Sequence, residues 1–301
     1  TTKKIGTKKL QNIKIINPFL NIQNFKDRKL KYILCLLILL RKIIFNKNYL
    51  IFAFQANLYC IILCKIFGVS VITRSNSSIE GWSKNPLKFF LYKKIISFAD
   101  KVVVNSIDFK KEFKKKFSIN AKCILNPLNK YEILKKSKIK LKKVYRKNSL
   151  KLITMGRLVD QKNQITILKA LNKIKDKIKF ELIIIGKGNL KNYYLEYIKN
   201  HNLEKKIKIL DFKSNPYPYL LQAEVFILSS KFEGLPNVLL EAQILKKYII
   251  SSDCPTGPRE ILRDGKCGDL FKINNFSGLA NLILNYKKNR KKNINKIQFG
   301  Y

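Results

Sequence analysis

The chain has 301 residues, with 62 Lys and Arg against 19 Asp and Glu, for a formal charge of +43. A hydrophobic fraction of 46% supplies apolar material for about two packed domains, which excludes extended intrinsic disorder. With 12 Gly and 8 Pro, collagen-like and other low-complexity classes are excluded too.

The opening residues TTKKIGTKKL show neither a strand–glycine–helix unit nor a signal-peptide pattern. A first strand, with or without its following helix, is expected to be missing there. Residues 32–40 (YILCLLILL) are the longest apolar segment, about half of what a membrane-spanning helix needs. They predict a helix that is either buried or lies on a bilayer surface. Strand-length apolar runs follow at 49–55, 69–74, 101–105 and 122–126, separated by helical patterns at 57–67, 86–98 and 107–117. The alternation resumes with strands at 151–155, 180–186, 207–212, 225–229 and 248–252. Helices are expected at 163–175, 190–200 and 236–247. Continuous apolar strands between amphipathic helices imply α/β architecture with parallel sheets covered on both faces. The pattern breaks at 129–150, which is lysine-laden and has no strand. The predicted domains are therefore 1–138 and 151–287, with a linker at 139–150 and a tail at 288–301.

The charge has two readings. Lys, Ile and Asn are abundant throughout, as in the product of an AT-rich genome. A functional basic surface would instead serve an anionic membrane or a phosphate-bearing substrate. Neither an RNA-binding aromatic motif nor zinc-finger spacing accompanies the charge, so nucleic acid is not an expected partner. Cys35, Cys60, Cys64, Cys123, Cys254 and Cys267 form no CxxC, and His201 is the sole histidine. No metal site is expected, and most of the cysteines read as small core residues of a cytoplasmic protein.

Four strand ends carry candidate chemistry. The first is Phe232-Glu233-Gly234-Leu235-Pro236-Asn237-Val238-Leu239-Leu240-Glu241-Ala242, directly after VFILSS. Pro236 suits a first helical turn, and free N–H groups around Leu235 to Val238 would suit an anion or sugar hydroxyls. Glu241 can grip a vicinal diol; the plainer alternative is one capping acid and one surface acid. The second is Met155-Gly156-Arg157-Leu158-Val159-Asp160-Gln161-Lys162-Asn163. Gly156 permits a tight turn, and Arg157 and Lys162 can both reach a diphosphate. The third, Ile185-Gly186-Lys187-Gly188-Asn189, is either a phosphate loop or a plain turn. The fourth, Asp253-Cys254-Pro255-Thr256-Gly257-Pro258-Arg259-Glu260-Ile261, has turn chemistry leading into a short helix.

In this order, GRLVDQKN, GKG, NPYPYL, SSKFEGLPNVLLEA and DCPTGPREIL resemble glycosyltransferase family 4. These are retaining sugar-nucleotide transferases of the GT-B fold, with two Rossmann-like domains facing a cleft. The resemblance is strong over 151–285. It is looser over 49–127, through NLYCIILCKIFGVSVITRSNS, ADKVVVNS and ILNPL. It implies that Arg157 and Lys162 bind the donor diphosphate, that Glu233 lies beside the transferred sugar and that Glu241 holds the ribose. Gly156, Gly186 and Gly188 would belong to the donor site. Backbone amides of Gly234, Leu235, Pro236, Asn237 and Val238 are the expected contacts to sugar and phosphate oxygens, Pro236 contributing backbone but no N–H. Phe212, within Asp211 to Lys213, would lie along the base. Family members often carry a histidine near the sugar; here the stretch reads Thr73-Arg74-Ser75-Asn76-Ser77, which leaves Arg74 and Asn76 as acceptor-side residues. The usual glycine after the EA helix is absent, so a different cap is expected at 245–248.

The implied partners are a nucleoside-diphosphate sugar, with UDP as the commonest nucleotide, and a lipid-linked or polysaccharide acceptor of envelope glycan synthesis. The donor is a substrate, and no cofactor is expected. The basic first domain is expected on the inner face of the membrane. The alternative is a truncated, inactive relative that binds a nucleotide sugar without transferring it.

Overall fold

The computed structural model describes residues 28–54, 56–82 and 85–300. They divide into two compact units. One holds residues 28–74 and 85–103, the other 75–82 and 104–300. The expected absence of an opening strand concerns a stretch outside the described residues.

In the first unit, α1 (Arg28–Phe45), β1 (Leu50–Ala53), α2 (Asn57–Ile66), β2 (Ser70–Ser75), α3 (Pro86–Ser97) and β3 (Lys101–Val104) alternate as the apolar runs predict. The last residue of β2 and of β3 passes into the second unit. β1 and β2 are parallel, Leu50 opposite Ser70 and Ala53 opposite Thr73. Asn85 caps α3 by accepting from Lys88 N at 3.1 Å, and Pro86 fits the first turn because its missing N–H has no helical acceptor. Asp100 accepts from Val71 N at 2.6 Å and Lys65 Nζ at 2.8 Å, which holds its carboxyl below the usual range. The expected helix at 32–40 is half-sunk: Ile43 is buried, whereas Ile33, Leu37, Ile44 and Phe45 are exposed. No described helix is long and apolar enough to cross a membrane.

The second unit begins with α4 (Ile107–Phe117), which Ser106 caps by accepting from Phe109 N. Phe109, Phe113 and Phe117 recur every fourth residue, so they share one helix face. All three are buried, edge to face at 5.1 and 5.2 Å, with Trp82 against the last two. β4 (Lys122–Cys123) completes a four-stranded sheet of order β1-β2-β3-β4.

A six-stranded sheet then forms from β5 (Leu150–Met155), β6 (Phe180–Ile185), β7 (Ile207–Leu210), β8 (Val225–Leu228), β9 (Tyr248–Ser252) and β10 (Asp269–Phe271). Its order is β10-β9-β8-β5-β6-β7, with every pairing parallel. Alternate strand residues enter two separate cores. Leu152, Leu182, Ile184, Val225, Ile227 and Ile250 pack against α6 (Ile165–Lys173), α7 (Lys191–Asn200) and α11 (Phe276–Lys288). Ile153, Met155, Ile183, Phe226, Leu228 and Ile249 pack against α5 (Lys130–Ser137), α8 (Tyr217–Gln222) and α9 (Asn237–Ile244). The chain builds outward from β5 to β7, then crosses back to place β8 on the other side of β5. The crevice beyond the carboxyl ends of β5 and β8 is therefore the topological switch point, where open α/β sheets bind ligands.

Ordered structure extends into the stretch where the α/β pattern breaks and into the C-terminal stretch. Within 129–150, α5 and Tyr145 belong to the second unit, with Ile133 and Tyr145 buried in the core that holds Phe226. Those few apolar residues are enough to dock a lysine-rich segment whose stems cover the surface. The expected tail instead carries α12 (Arg290–Gly300), with Asn293 buried and Lys296 paired to Asp269. Cys64, Cys254 and Cys267 are buried, whereas Cys35 is exposed and Cys60 and Cys123 are half-buried, so three of the six serve as core residues.

Candidate functional site

Two of the motifs meet at the switch point. The loop after β5 leaves through Gly156, whose N–H donates to Ile185 O at 3.0 Å. Gly156 has φ 155°, and a Cβ there would sit 3.6–3.7 Å from the stem of Lys162, which folds back over it. Lys162 ends a short 3-10 turn (Asp160–Lys162) that Asn163 closes with φ 51°. Its ammonium reaches the loop after β8: Nζ lies 2.5 Å from Glu233 Oε1, with both side chains largely buried. Ser230 Oγ donates to the same oxygen at 2.5 Å. Arg157 is exposed at the same loop, its backbone carbonyl held by Gln164 Nε2 at 2.9 Å.

The backbone around Glu233 is fixed from two further directions. Its carbonyl accepts from Ser78 N at 2.8 Å and from Thr256 Oγ1 at 2.6 Å. Ser77 and Gly234 form an antiparallel bridge, and a Cβ on Gly234 would stand 2.2 Å from Asn76 O. Glycine is thus required at 234 by close approach. Ser78 is anchored in turn by Glu112 of α4, while Glu260 of the fourth motif accepts from Ile107 N and Asp108 N at the start of α4. The fourth motif works here as a brace for the Glu233 loop.

The other expected residues fall into place as follows. Leu235 is buried in the second core, and Pro236 stands just ahead of α9 rather than inside its first turn. Pro236 offers no side-chain cap, and its carbonyl accepts from the first-turn amide of Leu239 at 2.9 Å. Asn237 accepts from Asn126 Nδ2 at 2.8 Å. Glu241 lies on α9 with Tyr217 Oη 3.5 Å from its Oε1; burial pushes its carboxyl above the usual range. Gly186 and Gly188 have a packing reason to be glycine. Cβ atoms there would stand 1.8 Å from Gly156 O and 2.1 Å from Leu158 O. They let the β6 turn press against the β5 loop. Phe212 is exposed beyond β7, with Lys187 Nζ 5.9 Å from its ring centroid. Asn76 touches the Glu233 loop, whereas Arg74 belongs to the first unit, where its carbonyl accepts from Asn57 Nδ2 at 3.0 Å. Among the described residues no group of three or more His, Cys, Asp or Glu is placed to hold a metal ion.

Sequence reasoning did not single out Ser78, Ser230 or Thr256. Ser230 and Thr256 lie inside quoted motifs. Nothing local marks Ser78, whose partner is 155 residues away in sequence (233 − 78).

The family described as Glycosyl transferases group 1 matches residues 135–301. An uncharacterized glycosyltransferase of Methanocaldococcus jannaschii is 36% identical over 218 residues, which is 67% of this chain and 53% of that protein. The N-acetylgalactosamine-N,N'-diacetylbacillosaminyl-diphospho-undecaprenol 4-alpha-N-acetylgalactosaminyltransferase of Campylobacter jejuni is 30% identical over 75% of this chain and 64% of its own length. The chain thus spans between half and two thirds of the length of these relatives. Among solved structures, Anabaena HepE in complex with UDP has a TM-score of 0.70 at 18% identity, covering 87% of this chain and 74% of that one. Staphylococcus aureus TarM has a TM-score of 0.69, also at 18% identity, covering 89% of this chain and 53% of that one. Such likenesses establish the fold, and the matched residues establish the kinship: this chain belongs to the group 1 glycosyltransferases, of the family 4 type, and folds as a GT-B protein.

Proposed function

We propose that the chain is a retaining glycosyltransferase that moves a sugar from a nucleoside-diphosphate donor to a lipid-linked or polysaccharide acceptor in envelope glycan synthesis. The observation that carries this reading is the meeting of Lys162 and Glu233 at the sheet's switch point, with Arg157 on the same loop. UDP is the first-choice nucleotide. The UDP held by HepE and the diphospho-undecaprenol in the name of the Campylobacter relative support donor and acceptor class.

In this reading the diphosphate lies against Arg157, Lys162 and the first-turn amides of α9. These groups stabilise the charge that develops as the sugar–phosphate bond breaks. The acceptor hydroxyl attacks the anomeric carbon on the face the diphosphate leaves, so configuration is retained. The bonding electrons depart on the phosphate oxygen, which then takes the acceptor's proton. Glu233, fixed by Lys162 and Ser230, faces the sugar, and Glu241 grips the ribose hydroxyls.

A thermal-shift screen of UDP-, GDP- and ADP-sugars comes first, because a bound donor stabilises the native state by mass action. A transfer assay with undecaprenol-linked acceptors follows. Glu233→Ala and Arg157→Ala are each expected to abolish transfer and keep the cooperative melting transition. Wild-type turnover in either variant discards its role. Donor binding with neither transfer nor hydrolysis replaces the enzyme by a nucleotide-sugar-binding relative.

A further inference from the structure

Gln161 is where the two loops of the switch point are joined. Its side-chain Oε1 accepts from Arg157 Nη2 at 3.0 Å. Its Nε2 donates to Phe232 O at 3.0 Å, and its own backbone carbonyl accepts from Lys231 N at 2.8 Å. One amide thus ties the exposed guanidinium of the first loop to the backbone immediately before Glu233. We infer that Gln161 is a positioning residue for the donor diphosphate. It holds Arg157 in register with the Lys162–Glu233 pair, so that both cations meet the anion already arranged. This inference rests on the donor site proposed above.

Two physical arguments support it. An exposed arginine loses substantial rotamer entropy when a ligand immobilises it, and a tether present in the free protein removes part of that cost. The tether is also neutral. A glutamate at 161 would pair with Arg157 and cancel the charge the diphosphate needs, and it would leave Phe232 O without its donor. The remaining stitches between the loops do not need Gln161's side chain. Ser229 Oγ donates to Lys162 O at 2.9 Å, Lys231 pairs with Asp160 at 2.5 Å, and Lys162 pairs with Glu233. Removing the amide should therefore loosen Arg157 and leave the loops in place.

The test is isothermal titration of the whole chain and its variants with UDP, GDP and ADP and with the matching nucleosides. Gln161→Leu should weaken the preferred diphosphate about tenfold and leave its nucleoside unchanged, the size expected for losing a hydrogen bond to a charged group. Gln161→Glu should weaken it as well. In an Arg157→Ala background the Gln161→Leu change should have no further effect, since a residue that acts through Arg157 has nothing left to position. Undiminished diphosphate binding by Gln161→Leu overturns the inference. So does a parallel loss of nucleoside binding, or an unchanged loss in the Arg157→Ala background. If the wild type binds none of the three diphosphates, the donor site itself is wrong and this inference goes with it.

Discussion

Glu241 is a half-buried carboxyl whose desolvation carries a cost. Desolvation raises its carboxyl above the usual range, opposed by the Tyr217 hydroxyl. A carboxyl whose folded-state pKa is raised binds more protons folded than unfolded. Its contribution to stability is then most favourable below the unfolded value near 4.5 and falls as pH rises through the folded value. Replacing it with a neutral isostere removes the penalty wherever the wild type is ionised. Glu241→Gln should therefore raise stability at about pH 7 and raise it less at about pH 4. Urea midpoints at the two pH values check this, and a gain equal at both would refute it. The same variant should bind the donor more weakly, because an amide grips a diol less well than a carboxylate does. Stability and binding then move in opposite directions at one residue.

At the scale of elements, the end of α9 shows how this chain caps the helix without the glycine that the family resemblance implies there. Lys246 N donates to Gln243 O at 2.8 Å, and Lys247 N donates to Ala242 O at 2.9 Å. This is the Schellman pattern, and it requires a left-handed residue at the first of the two positions. Lys246 supplies it with φ 55°. A side chain in that region costs about 1–2 kcal/mol, partly offset by the extra backbone entropy a glycine would lose. Lys246→Gly should accordingly stabilise the protein by about 0.5–1 kcal/mol with an unchanged denaturant slope. A lower urea midpoint would show that the lysine's own contacts outweigh its backbone strain. The sequence announced the missing glycine but not the solution, because KK looks the same in any conformation. Elements of the six-stranded sheet were legible for a related reason. KLITM, FELIIIG and VFILS are continuous apolar runs that only a sheet covered on both faces can bury, and the two richest motifs stand at the ends of β5 and β8. Strand order decided that these two ends adjoin, and order is a long-range property. The same holds for Ser78, Thr256 and Glu260, whose partners are remote in sequence. The helix at 130–137 went unread because Tyr131, Ile133 and Leu134 are its only apolar residues among lysines, too few for a clear period.

At the scale of the whole molecule, +43 is a field as well as a composition. Basic side chains near an anionic bilayer contribute about 1 kcal/mol each and are screened within a Debye length. Charge alone would therefore give an attachment that salt reverses. The first unit adds a second element. α1 exposes Leu37 at 54% and Phe45 at 80% beside the exposed Arg41 and Lys42, so apolar side chains and cations share one helix. A helix of this kind binds at the interface through both effects. The chain should float with anionic liposomes at low salt and be largely released at about 0.5 M salt, where the Debye length falls to a few ångströms. Leu37→Glu combined with Phe45→Glu should weaken flotation at low salt. It should leave any thermal shift by UDP intact, since Arg157, Lys162 and Glu233 lie in the second unit. Recovery of all protein in the soluble fraction at low salt would remove membrane docking altogether. Flotation undiminished in the double variant would move the contact away from α1 and onto the lysine-rich surface alone.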